Sequence, residues 1–209
     1  MLQTSQISHS YKGTQAFAFP EIICQTGQAK LILGQSGVGK TTLLHILGGI
    51  LAPKNGKVFV NNKDLYALKG HKLDLFRGQN IGIVFQKPHF VASLNASENL
   101  LLAQKMSGKK TDTKKVLSLL SALNLEHRAQ SKTFKMSQGE QQRLSIARAI
   151  INNPGLILAD EPTSALDDKN CVEVLQLLDH QAKTLNAALV IVTHDTRLKD
   201  YYSDKIELA

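Results

Sequence analysis

Cysteine is scarce in this 209-residue chain. Cys24 and Cys171 are the two present, and they lie far apart, with neither metal-site nor redox spacing. Both read as ordinary small buried residues, which suits a reducing compartment. Aromatic residues make up 5% of the sequence and do not interleave with the basic ones. That argues against a base-stacking nucleic-acid surface, although the formal net charge is +8. Lysine and arginine are scattered, with small clusters at Lys109-Lys110 and Lys114-Lys115, so the excess reads as a solvated basic surface. Long apolar runs are also missing. No stretch approaches the ~18 residues of a membrane-spanning helix, and residues 187–192 have the length of a strand. The first residues lack a basic region followed by an apolar run, so no signal peptide is expected. There is no internal repeat and no low-complexity linker. A soluble chain is expected, with any membrane role supplied by a partner.

An apolar content of 43% is enough for one sizeable core. The pattern predicts an α/β fold. Residues 2–8 and 15–19 read as edge strands, with a turn at Lys12-Gly13. Residues 29–33 form a buried strand, followed by a helix that carries Leu43, Leu44, Ile46 and Leu47 and ends at Gly48-Gly49. A turn at residues 53–56 introduces a hairpin over 57–60, with a second turn at Asn61-Asn62. Residues 81–85 and 156–159 are core strands. Between them, from about 91 to 150, helical spacing dominates. A helix over about 170–184 leads to a strand at 188–193, and a last strand lies near 205–208. One domain is expected, with residues 1–85 and 155–209 forming the core and about 86–154 forming a mainly helical lobe.

The most specific feature is Gly34-Gln35-Ser36-Gly37-Val38-Gly39-Lys40-Thr41, which matches G-x-x-x-x-G-K-[ST] between a strand and a helix. Glycines allow the backbone conformation and the close approach such a loop needs. Successive N–H groups at a helix start then cradle phosphate oxygens. Lys40 reaches toward the β- and γ-phosphates, the Thr41 hydroxyl toward Mg²⁺, and Thr42 toward a phosphate. The motif alone does not separate ATP from GTP, or hydrolysis from phosphoryl transfer.

In open α/β sheets, ligand groups gather beyond the C-terminal ends of the strands. Asp160 and Glu161 end an apolar strand. Asp160 is placed to hold the metal's hydration shell, and Glu161 to orient or deprotonate an attacking water. Gln86 ends the 81–85 strand, where its amide can touch a metal-bound water. His194 follows the 188–193 strand and can bond a γ-phosphate oxygen. Tyr11 either stacks on a purine or is an exposed turn tyrosine.

Six segments in this order resemble the nucleotide-binding subunits of ABC transporters: GQSGVGKTT at 34–42, VFQ at 84–86, MSQGEQQRLSIARAI at 136–150, LILADEP at 156–162, SALD at 164–167 and VTHD at 192–195. The resemblance implies a P-loop core with a mixed sheet, an antiparallel β subdomain and an inserted helical subdomain. It implies ATP and Mg²⁺ as cofactors, with Gly34, Gln35, Ser36, Gly37, Val38, Gly39, Lys40, Thr41 and Thr42 around the phosphates. Thr41, Gln86 and Asp160 would lie near the metal. Glu161 corresponds to the general base, His194 to the switch histidine and Tyr11 to the adenine-stacking position. Ser137, Gly139 and Glu140 fall in the signature segment, which in the family contacts the ATP of the opposite subunit. Asp167 falls in the loop crossing that interface, and Gln86 begins the lobe that couples to the permease.

The implied partners are membrane permease subunits and a second copy, or a similar ATPase subunit, at the inner face of the cell membrane. No nucleic-acid contact is implied. Gln138 departs from the glycine usual in the signature, so its side chain must point away or donate its own hydrogen bond. Within the family, the lipoprotein-release, macrolide-export and cell-division group is the most similar. Two alternatives stay open: an ATP-driven module acting on DNA, ribosomes or cell division, and a regulatory ATP-binding module with weak hydrolysis. The chain stops soon after its last strand, with no extra regulatory domain expected.

Overall fold

The computed structural model describes residues 1–11, 16–164 and 166–208. The Lys12-Gly13 turn, Gln15 at the start of the second expected strand, and Ala165 of the SALD segment lie outside them.

A five-stranded sheet forms the centre. Its strands are β4 (Ala29–Gly34), β7 (Ile81–Val84), β8 (Leu156–Asp160), β9 (Ala188–Thr193) and β10 (Lys205–Leu208), numbered by their place in the chain. Their order is β10-β4-β9-β8-β7, and every pair is parallel. β8 and β9 are buried along their whole length, as a sheet covered on both faces requires. Alternation then divides the side chains between two cores. Ile32, Leu156, Leu158, Val190 and Val192 pack on one face with the leucines of α1 (Lys40–Leu47). Leu31, Leu33, Ile157, Leu189 and Ile191 face the other way, onto α6 (Asp168–Thr184) and one side of α5 (Gln138–Ile150).

Antiparallel pairing belongs to a second sheet. β1 (Leu2–His9) pairs with β2 (Phe17–Ala18), β3 (Ile23–Cys24) and β5 (Asn55–Val60), and β5 pairs with β6 (Lys63–Asp64). The expected hairpin is therefore the β5–β6 pair across Asn61-Asn62, while the longer partner of β5 is β1. Leu2, Val58 and Val60 carry this sheet into the first core. Two elements are absent from the sequence reading. One is β3, and the other is α2 (His71–Asn80), in which no residue is fully buried.

The helical segment contains α3 (Ala96–Met106) and α4 (Thr113–Ala122) as well as α5. Leu100, Val116, Leu120, Leu144, Ala147 and Ile151 close a third core. Ile146 and Ile150 on α5 face the sheet while Leu144 and Ala147 face α3 and α4, so α5 joins the two bodies. Among the described residues, no helix is long and apolar enough to cross a membrane.

Candidate nucleotide site

The loop between β4 and α1 turns on two left-handed glycines, Gly37 at φ 91° and Gly39 at φ 94°. They differ in surroundings. A Cβ on Gly37 would have nothing within 4 Å, whereas one on Gly39 would meet the Phe17 ring at 2.8 Å. Conformation requires glycine at the first position; conformation and close approach both require it at the second. Gly39 also caps α1 without any side-chain hydrogen bond. Helices α3, α4, α5 and α6, by contrast, take side-chain caps from Asn95, Asp112, Ser137 and Asp167. The first N–H groups of α1 are thus left without a side-chain cap, in the arrangement that favours an anion.

Lys40 is buried and bends back over this loop. Its Nζ donates to the carbonyls of Gly34 at 2.7 Å and Gln35 at 2.8 Å, and lies 3.8 Å from Glu161 Oε1. A cavity of about 380 Å³ opens at this point. Ser36, Gly37, Gly39, Lys40, Thr41 and Thr42 line it from the loop, and Phe17, Gln86, Glu161 and His194 complete the wall. The three strand-end features therefore converge as β7, β8 and β9 end side by side. Gly34, Gln35 and Val38 line a neighbouring groove on the β10 side of the same loop. Tyr11 sits at the margin, with its hydroxyl 3.0 Å from Thr42 Oγ1 and its ring edge-on to Phe17.

The two adjacent carboxylates have different surroundings. Asp160 is buried, and burial pushes its pKa up, a hydrogen bond with Thr41 pulls it down, and the Glu161 charge pushes it up again. Its Oδ1 is buried with no hydrogen-bond partner. An unpartnered buried acceptor on a carboxylate bonded to the Thr41 hydroxyl is the chemistry expected of an oxygen site for a hard cation. Asp160 lies behind the cavity wall, which Thr41 and Gln86 both line. Magnesium would find one carboxylate, one hydroxyl and one amide here, the remaining positions being left for water and phosphate. No group of three or more His, Cys, Asp and Glu that could hold a metal occurs among the described residues.

Glu161 is buried and has a left-handed backbone, with φ 47°. A non-glycine residue there costs about 1–3 kcal/mol and persists only when its surroundings over-determine it. They do so here. The Glu161 N–H donates to Val192 O at 2.8 Å, and its carbonyl accepts from the Ser164 N–H. Its carboxylate accepts from Thr193 Oγ1 at 2.6 Å, from the His194 backbone N–H at 3.1 Å, and is 2.8 Å from His194 Nδ1.

Ser137, Gly139 and Glu140 do not line this cavity. They open α5, where Ser137 caps the helix and Glu140 completes a reciprocal capping box. Both Glu140 oxygens are engaged: Oε2 accepts from the Ser137 N–H, and Oε1 accepts from Arg128 Nε at 2.8 Å and lies 3.2 Å from His127 Nε2. The Arg128 hydrogen bond is the main reason its pKa falls to about 2. An ionised carboxylate tied in this way shapes the start of α5. Gln138, the first helical residue, is exposed.

Two residues escaped the sequence reading, Phe17 in the cavity wall and Thr193, buried behind Glu161. Thr193 gave a signal, as a hydroxyl closing an otherwise apolar strand. Phe17 gave none, because an aromatic in a short edge strand reads as packing.

Comparison with known proteins agrees with this geometry. The ABC transporter family profile matches residues 21–164. The "Lipoprotein-releasing system ATP-binding protein LolD 1" of Rhodopirellula baltica is 37% identical across 100% of this chain and 93% of the relative. The LolD protein of Idiomarina loihiensis is 36% identical across 96% and 90%. Among solved structures, the dimeric ABC transporter cassette MJ0796 superposes with a TM-score of 0.89 at 32% identity, covering 100% of this chain and 94% of that one. CbiO1 of Clostridium perfringens, part of the ABC transporter complex cbiONQ, gives 0.85 at 26% identity, covering 99% and 84%. The parallel sheet, the uncapped glycine loop and the paired carboxylates are thus those of a known family: this chain is an ATP-binding, ATP-hydrolysing subunit of the ABC transporter family.

Proposed function

We propose that the chain works as one half of a head-to-tail ATPase pair that drives a separate membrane permease from the inner face of the cell membrane. The observation that supports it best is the convergence of an uncapped helix start, a buried lysine and a tethered carboxylate on one cavity. On this reading the backbone N–H groups from Gly37 to Thr42 and the Lys40 ammonium hold the β- and γ-phosphates. Tyr11 stacks on the adenine. Thr41, Asp160 and Gln86 hold Mg²⁺, which when bound neutralises charge on the phosphate oxygens. Glu161 takes the proton of the water that attacks the γ-phosphorus in line with the leaving oxygen. His194 hydrogen-bonds the γ-phosphate. Positioning and fixed charge supply most of the rate.

Ser137 and Gly139 then face the nucleotide of the other copy, with Glu140 fixing their geometry. The exposed Gln138 leaves the N–H groups of α5 open or adds its own amide. Asp167 lies in the loop between the two copies. The single-domain division, with a helical lobe over about 86–154 that couples to the permease from Gln86 onward, belongs to the same reading. Relatives named for lipoprotein release suggest a lipid-modified protein as cargo.

The test is reconstitution. The chain co-purified with its permease in a bilayer should hydrolyse ATP faster when a lipoprotein cargo is supplied. Hydrolysis indifferent to both permease and cargo would contradict the coupling.

A further inference from the structure

β9 runs Ala-Leu-Val-Ile-Val and ends on a threonine, all six residues being buried. A hydroxyl with no exposure must find partners inside the protein or cost stability. Thr193 has two. Its Oγ1 lies 3.0 Å from the Asp195 backbone nitrogen and 2.6 Å from Glu161 Oε2. The first contact fixes the second. A backbone N–H can only donate, so the hydroxyl accepts from Asp195, and its own proton points to the Glu161 carboxylate.

The sheet places these groups side by side. Asp160 pairs with Val192 across the parallel β8–β9 ladder, so Glu161 and Thr193 are the next residues on neighbouring strands. The other side-chain bond to this carboxylate comes from His194, whose side chain is 58% exposed and faces the cavity. A ring that also serves the γ-phosphate cannot remain a fixed anchor through a reaction cycle. The buried hydroxyl can.

We infer that Thr193 is a positioning residue that holds Oε2 of Glu161 and so aims Oε1 at the attacking water. The assignment rests on Glu161 being the base. Thr193 itself touches neither nucleotide nor water. Its removal takes the buried hydroxyl from Oε2 and leaves the carboxylate to the His194 ring and backbone N–H, and a misplacement of order 1 Å at a reacting group costs about a hundredfold in rate.

The experiment compares Thr193→Val, which keeps shape and loses the hydroxyl, with Thr193→Ser, which keeps it. Steady-state ATP hydrolysis and binding of a fluorescent ATP analogue are measured on each purified protein. Thr193→Val should lose about 10- to 100-fold in kcat with KM and analogue affinity within about twofold. Thr193→Ser should stay within about threefold of wild type. In a Glu161→Gln background the Val substitution should cost nothing further, because the group it aims is gone. Should Thr193→Val not fold, Thr193→Ala replaces it in the same comparison.

Wild-type kcat in the Val variant, parallel loss of binding and kcat, or failure of Ser to restore turnover would each overturn the assignment. The two readings separate cleanly. If Glu161→Gln keeps wild-type turnover, the base assignment has failed. If Glu161→Gln is inactive and Thr193→Val is not, the Thr193 role alone has failed.

Discussion

Gly37 and Gly39 look equivalent in the sequence, two glycines of one loop with nearly the same φ. The structure separates them. Both would strain an L-residue, but only at Gly39 would the new Cβ run into the Phe17 ring. Gly39→Ala should therefore lower the thermal midpoint clearly more than Gly37→Ala, whose cost is the backbone strain of about 1–3 kcal/mol alone. Equal losses in a melting experiment would contradict this. The comparison also marks the limit of reading a motif. The motif announces that the chain needs glycine at these positions, but not which neighbour enforces it, because Phe17 belongs to a strand paired with β1. Thr193 is the opposite case. Its identity at the end of an apolar strand was visible, yet its partner became apparent only when the parallel register set it beside Glu161.

Elements with a full apolar stripe or run were legible. α5, α6, β8 and β9 lie close to where the spacing of their leucines, isoleucines and valines put them. α2 was not, since Leu73 and Phe76 are only half-buried and no residue of the helix is fully enclosed. Little periodicity is needed to cover the edge of a core. The start of α5 shows how a sequence feature changes meaning once it is placed. Glu140 stood among the expected nucleotide contacts, but its carboxylate is taken by Ser137 and Arg128.

That arrangement makes a pH prediction for the element. The ordinary carboxyl value is 4.5, and in the folded protein Glu140 falls to about 2, mainly through Arg128. A depressed carboxylate stabilises the fold above its unfolded value and loses that contribution as pH falls through the folded one. The stability difference between wild type and Glu140→Gln should be full above about pH 4.5 and shrink toward pH 2. Urea unfolding followed by far-ultraviolet circular dichroism measures it. A difference that stays constant across this window would contradict the role given to Arg128.

At the scale of the whole molecule, the parallel sheet brings the ends of β4, β7, β8 and β9 to one cavity, while Ser137 and Gly139 open α5 elsewhere. Both halves of this arrangement could be expected from the family resemblance, since the motifs run through most of the chain. The convergence of Gln86, Glu161 and His194 was also legible from their places after three strands, but not that those strands lie side by side in the order β9-β8-β7. The subunit should bind ATP through its own loop and hydrolyse it through Glu161. The most direct test measures Mg²⁺-dependent ATP hydrolysis and ATP binding side by side in the wild type and Glu161→Gln. The variant should bind ATP as well as wild type and hydrolyse it at least about a hundredfold more slowly. Wild-type turnover with an amide at that position would contradict the account at its centre.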